Sequence, residues 1–230
     1  MNYSKHQITT KDGSSTFRID RLKESYHSIH GAVTESNFIY VNEGFNFWNL
    51  QNSNKTCRVL ELGYGTGLMT YLTLLEASSK KNKVVFTSLE AFPLTTVEIE
   101  SLGYNDLFFN KNTPINFDAF SKLSWEKLVS PSDFFKLTKK QIRFEDFNSQ
   151  TSFDLIYYDA FGAHAQPELW EPECMKKCFD LLSDRGVWVS YCAKGSVRRG
   201  LEKAGFSTYR LPGPPGKREM LRAIKSTNFN

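Results

Sequence analysis

Arg58-Val59-Leu60-Glu61-Leu62-Gly63-Tyr64-Gly65-Thr66-Gly67 is a short apolar run closing on three glycines at alternate positions, and Leu68 to Ala77 continues it. The run is too short for a helix and is bounded by glycine, so it reads as a buried strand. Leu68, Tyr71, Leu72 and Leu75 share one helical face, so the chain passes from strand through a glycine turn into a helix. Glycines at such a turn let the backbone bend tightly and approach a ligand. A dinucleotide fingerprint would need its third glycine at position 68, which is leucine. Glu61 also opposes a pyrophosphate, which seeks bare amides and positive potential at a helix N-terminus. A cationic ligand tolerates the same acid. A tight turn with no ligand is the plainer alternative.

On either side the pattern is that of a parallel α/β domain. Val84 to Leu89 is a second strand ending at Glu90, and Pro93 to Leu102 a helix. Ile142-Arg143-Phe144 reads as a short third strand ending in Glu145 and Asp146, and Phe153 to Tyr158 as a fourth ending at Asp159. Pro172 to Leu182 is helical, Gly186 to Cys192 a fifth strand, and Ser196 to Ala204 a helix stopped by Gly205. Phe206 to Leu211 and Glu219 to Ile224 form a terminal antiparallel pair across Pro212-Gly213-Pro214-Pro215-Gly216. Residues 103–141 read as a helical or loop insertion. Gln7 to Asp20 holds a hairpin around Asp12-Gly13, a strong turn signal. The expected fold is a Rossmann-like α/β domain over residues 57–230, its sheet mostly parallel with a terminal antiparallel strand, behind a small N-terminal cap over 1–56.

Length and composition suit one soluble globular unit: 230 residues, 40% hydrophobic and 23% charged. No apolar run reaches the ~20 residues that span a bilayer, and Met1 to Thr10 lacks the apolar core of a secretory signal. Cys57 and Cys192 lie in strand-like runs and Cys174 and Cys178 four apart on a helix, which gives no disulfide framework and favours core packing over zinc. A cytoplasmic location is expected. Net charge is +4, yet Lys194 to Lys225 holds nine basic and two acidic residues, +7, leaving −3 elsewhere. A polyanionic partner on one side and a merely solvated basic face explain this equally well.

The Gly-x-Gly-x-Gly spacing behind an acid resembles motif I of S-adenosylmethionine methyltransferases, which implies Glu61, Gly63, Gly65 and Gly67 as cofactor residues. Ligands of open α/β sheets sit at the carboxyl ends of strands. There Glu90 can accept from both ribose hydroxyls, and Asp146 holds the position that usually meets the adenine amino group in methyltransferases. Asp159 holds the motif IV position, where amine methyltransferases keep the acceptor. A carboxylate there orients the amine and stabilises its ammonium, or acts as base; the sequence leaves both open.

Longer stretches resemble the tRNA 5-methylaminomethyl-2-thiouridine methyltransferase family, the methyltransferase half of bifunctional MnmC or the stand-alone MnmD type. They are Glu61 to Leu68, Tyr158-Asp-Ala-Phe-Gly-Ala-His-Ala-Gln-Pro-Glu-Leu-Trp170, Val197-Arg-Arg-Gly-Leu-Glu-Lys-Ala-Gly-Phe206, Gly216-Lys-Arg-Glu-Met220, and an opening segment from Tyr26-His27-Ser28 to Glu35-Ser36. The resemblance implies S-adenosylmethionine as cofactor, no metal, and N-methylation of the aminomethyl group of the wobble uridine in the tRNA anticodon. Asp159 is then the residue nearest the amine, with Tyr26, Phe161 and Trp170 as candidates for a slot around the base. Lys194, Arg198, Arg199, Lys217 and Arg218 would meet tRNA phosphates. Two departures stand out: Ala160 replaces a frequent glycine, and Leu68-Met69 replaces Leu-Asn. The bifunctional enzymes carry a flavin oxidase domain after this one, and with the sequence stopping at Asn230 no flavin chemistry is expected. No obligate protein partner and no membrane association are expected. An aminopropyltransferase, a small-amine methyltransferase and a non-catalytic tRNA-binding module are the rival readings. His27, His30 and His164 are weaker candidates for the same pocket.

Overall fold

The eight-stranded sheet of the computed structural model, which describes residues 3–109 and 113–226, has the order β10-β11-β9-β8-β4-β5-β7-β6. Its strands are β4 (Cys57–Leu62), β5 (Val84–Leu89), β6 (Leu128–Ser132), β7 (Phe135–Lys140), β8 (Phe153–Tyr158), β9 (Leu182–Ser190), β10 (Phe206–Pro212) and β11 (Glu219–Lys225). The inner strands β7, β5, β4, β8 and β9 pair in parallel. Both edges turn antiparallel, through β9-β11-β10 on one side and β7-β6 on the other.

The period of two along each strand divides the core. Val59, Phe86, Leu155, Tyr157 and Val189 face one side, against helix α3 (Leu68–Lys80) and the long first helix. Leu60, Leu62, Ile156, Tyr158 and Trp188 face the other, against α7 (Pro172–Leu181) and α8 (Gly195–Ala204). Burial of each such side chain is worth roughly 1.5–3 kcal/mol. Among the described residues no helix is long and apolar enough to cross a membrane.

The third strand corrects the sequence reading. It is β7, inside the span expected to be an insertion, and Ile142-Arg143-Phe144 is not a strand. Phe135-Lys-Leu-Thr-Lys-Lys140 hid its alternation because the inward position after Phe135 and Leu137 is a lysine, Lys139. Lys139 is fully buried, donates to the Ser121 carbonyl at 3.0 Å, and lies 5.0 and 4.9 Å from the ring centroids of Tyr64 and Trp125. Burial pulls its pKa down to about 8. Two aromatic faces offset part of that cost, since a desolvated cation–π contact is worth about 2 kcal/mol. The same span adds the short helices α5 (Tyr104–Leu107) and α6 (Phe117–Ser121).

At the N-terminus β1 (His6–Thr9), β2 (Ser15–Ile19) and β3 (Glu24–Ser25) form a small antiparallel sheet around the expected Asp12-Gly13 turn. The Asp12 carboxylate accepts from the amides of Ser14 and Thr34 and from the Thr34 hydroxyl, tying the hairpin to the first helix. That helix runs from α1 (Ala32–Ser36) through a π-helical stretch, Asn37–Asn46, into α2 (Phe47–Gln51). It packs closely on β8 and β9: a Cβ on Gly44 would lie 3.0 Å from the Tyr157 ring and 3.1 Å from Val189.

Candidate active site

A cavity of about 570 Å³ opens over the carboxyl ends of β4, β5, β7 and β8 and is roofed by the N-terminal sheet. From β4 the chain continues to β5 on one side, while β8 lies on the other, and such a switch point is where open α/β sheets bind ligands. Gly63 makes the close approach possible. It sits at φ +87°, and a Cβ there would be 2.8 Å from the Asp159 carbonyl oxygen. The Gly65 amide donates to Glu90 Oε2 at 3.0 Å and the Phe92 amide to Oε1 at 2.9 Å. Both bonds hold the Glu90 carboxylate against the cavity at the end of β5, and burial raises its pKa.

Three residues assigned to the cofactor by sequence do not line the cavity. Glu61 is fully buried on the face of β4 that meets α3; its Oε2 accepts from Thr70 at 2.7 Å and from Ser88. Its Oε1 has no partner among the described residues, and burial pushes its pKa up to about 8. Glu61 therefore faces α3 and not the cavity. Gly67 caps α3 in the left-handed region, with the Tyr64 hydroxyl where its Cβ would be. Asp146 is exposed in a turn closed by its own amide on the Arg143 carbonyl. Misplacing the third strand misplaced its acid: Ile142, Phe144 and Glu145 form that wall.

Asp159 follows β8 and lies half-buried at the cavity wall. The Tyr40 hydroxyl donates to its Oδ1 at 2.5 Å. Burial pushes its pKa up to about 7; the Tyr40 bond and Lys217 oppose this, and Glu35 and Glu24 add to it. Tyr40 was missed by sequence, although a hydroxyl inside the apolar run Phe38-Ile39-Tyr40-Val41 was a signal. Tyr26 and Phe161 line the cavity with their rings edge to face, centroids 5.3 Å apart. Trp170 does not reach it: the indole is core against Tyr158 and donates to the Phe161 carbonyl at 2.7 Å, holding that loop. From the cap, Glu24 accepts from the Gly162 amide at 2.7 Å, and buried His27 bonds Thr66 of the glycine loop at 2.7 Å. Burial lowers the His27 pKa to about 4, so it is neutral. His30 packs on Gly216 and exposed His164 donates to the Leu22 carbonyl.

The basic stretch Lys194 to Lys225 divides into struts and surface. Lys217 pairs with Glu35 at 2.6 Å and lies over the Tyr191 ring, so it is not a free phosphate contact. Arg222 pairs with Glu43, and Lys225 donates to the carbonyls of Phe179 and Leu182. Arg198 pairs with Glu202 one turn along α8. Lys194, Arg199 and Arg218 are exposed.

This donor set fits a nucleoside carrying a cationic group. Glu90 can take paired hydroxyls, the Ile142–Phe144 wall a flat base, and the glycine backbone leaves a cradle that a side chain on Gly65 would narrow against Tyr26 at 3.2 Å. A family model described as S-adenosyl-L-methionine-dependent methyltransferase matches residues 132–226. The tRNA 5-methylaminomethyl-2-thiouridine biosynthesis bifunctional protein MnmC of Leptospira interrogans is 27% identical over 224 residues, 91% of this chain and 34% of that protein. Its namesake in Campylobacter hominis is 27% identical over 219 residues, 91% of this chain and 31% of that protein. The chain thus spans about a third of the length of these curated relatives. MNMC2 from Aquifex aeolicus, a solved structure, shares the fold with a TM-score of 0.77 at 22% identity, over 98% of this chain and 72% of that one. The chain is a Rossmann-like S-adenosylmethionine-dependent methyltransferase, similar over 91% of its own length to the MnmC proteins.

Proposed function

We propose that this methyltransferase acts on the primary amine of 5-aminomethyl-(2-thio)uridine at the wobble position of tRNA and gives 5-methylaminomethyl-(2-thio)uridine. The observation that carries the reading is Asp159, a carboxylate set by Tyr40 at the wall of a cavity that Glu90 and the glycine loop share. The names of the MnmC relatives support the same acceptor. S-adenosylmethionine supplies a methyl group on a sulfonium, and Glu90, Gly63, Gly65, Ile142 and Phe144 would hold it.

An alkylamine with a pKa near ~10 is mostly ammonium at neutral pH. Asp159 first attracts that cation; the proton leaves to solvent, and the carboxylate then accepts a hydrogen bond from the neutral amine and keeps its lone pair aimed into the cavity. A carboxyl near 7 is also a better proton acceptor than an ordinary aspartate. Tyr26 and Phe161 give an apolar slot for a splayed base. Lys194, Arg199 and Arg218 meet phosphates, and the protein works in the cytoplasm, where its substrate is.

The test is methyl transfer from labelled S-adenosylmethionine to tRNA from cells lacking this gene, beside spermidine and putrescine. Label enters tRNA alone. With three phosphate contacts its affinity falls ~40-fold between 50 and 200 mM salt. Label in the polyamines instead, or a salt-insensitive reaction, contradicts the reading.

A further inference from the structure

The first helix loses α geometry in its middle. Asn37–Asn46 is a π-helical stretch, and such wide turns cluster at functional sites because they re-aim a side chain. Tyr40 lies on it, buried, its ring against Tyr157 with centroids 5.3 Å apart. Its hydroxyl is the group in direct contact with Asp159 Oδ1. Burial and the facing carboxylate both push the ionisation of Tyr40 upward, so it stays a neutral donor.

Charged and titratable groups face Asp159 from several elements. They are Glu35 with Tyr40 on the first helix, Glu24 on β3, Lys217 in the β10–β11 turn, Tyr191 after β9 and Glu61 on β4. Glu24 and Glu35 disfavour the carboxylate and Lys217 favours it, but Lys217 is already paired with Glu35. Tyr40 is thus the direct contact that opposes the cost of burying the charge.

We propose that Tyr40 is a positioning residue: by donating to Oδ1 it locks the Asp159 side chain, leaves Oδ2 for the acceptor amine, and keeps the carboxylate ionised. This rests on Asp159 being the acceptor carboxylate. A hydrogen bond to the charged form lowers a carboxyl pKa, so its loss raises that pKa. Activity that needs the carboxylate then appears only at higher pH.

In Tyr40→Phe the acid limb of the kcat–pH profile moves up by about one unit and kcat at pH 7 falls about fivefold. KM for tRNA and for S-adenosylmethionine stays within about twofold. Tyr157→Phe is the packing control. Its hydroxyl meets Thr73 at 3.3 Å, and its removal leaves the limb in place. An unmoved limb with unchanged kcat in Tyr40→Phe overturns the proposal, as does an equal loss in both variants. Asp159→Asn separates the layers. If it transfers methyl at the wild-type rate, the acceptor reading itself fails. If it is inactive while Tyr40→Phe behaves as wild type, only the role of Tyr40 fails.

Discussion

Gly63→Ala weakens S-adenosylmethionine binding at least 100-fold while the protein stays folded. The new Cβ would lie 2.8 Å from the Asp159 carbonyl oxygen, a backbone atom that cannot rotate away. At φ +87° an alanine is also strained by about 1 kcal/mol. Relief requires the loop after β4 to separate from the loop after β8. That shift moves the Gly65 amide off Glu90 and moves Asp159 with it. A 100-fold loss corresponds to about 2.7 kcal/mol. Gly103→Ala is the comparison, since Gly103 has φ +67° but nothing within 4 Å of its Cβ position. It carries the strain without the clash, so calorimetry should find its affinity within about threefold of wild type.

Asp159→Ala lowers methyl transfer to tRNA by a factor of about 10² to 10⁴, the range spanned by a positioned proton-handling group. Binding of S-adenosylmethionine weakens no more than about tenfold, because the glycine loop and Glu90 remain. The loss therefore falls on kcat. Stability changes little in net terms: the variant orphans the Tyr40 hydroxyl, costing about 1–3 kcal/mol, but also removes a carboxylate that burial disfavours. Single-turnover kinetics with a parallel binding titration separates these effects.

The parts of the fold legible in the sequence were those whose side chains report burial. Cys57–Leu62, Val84–Leu89 and Phe153–Tyr158 are mostly buried, so their apolar runs betray them. β7 was not legible because lysines occupy three of its six positions, one of them facing inward. Asp146 followed from that error, since the acid beyond a strand can be named only once the strand is placed. Glu61 illustrates a different limit: motif spacing places a residue beside a loop but not on a face, and the pleat turns this one toward Thr70 and Ser88. Tyr40 needed the fold, because its partner is 119 residues away. Lys194 to Lys225 carries +7 in the sequence, yet a sum of charges does not distinguish the inward Lys217, Arg222 and Lys225 from the exposed Lys194, Arg199 and Arg218.

The central claim is the identity of the product, and nucleoside mass spectrometry of tRNA incubated with the protein and S-adenosylmethionine tests it most directly. The account predicts that 5-aminomethyl-(2-thio)uridine at the wobble position gains one methyl on its side-chain nitrogen, and that Asp159→Ala leaves it unmodified. A methyl found on another nucleoside, or tRNA left unchanged by a protein that binds S-adenosylmethionine, would contradict it.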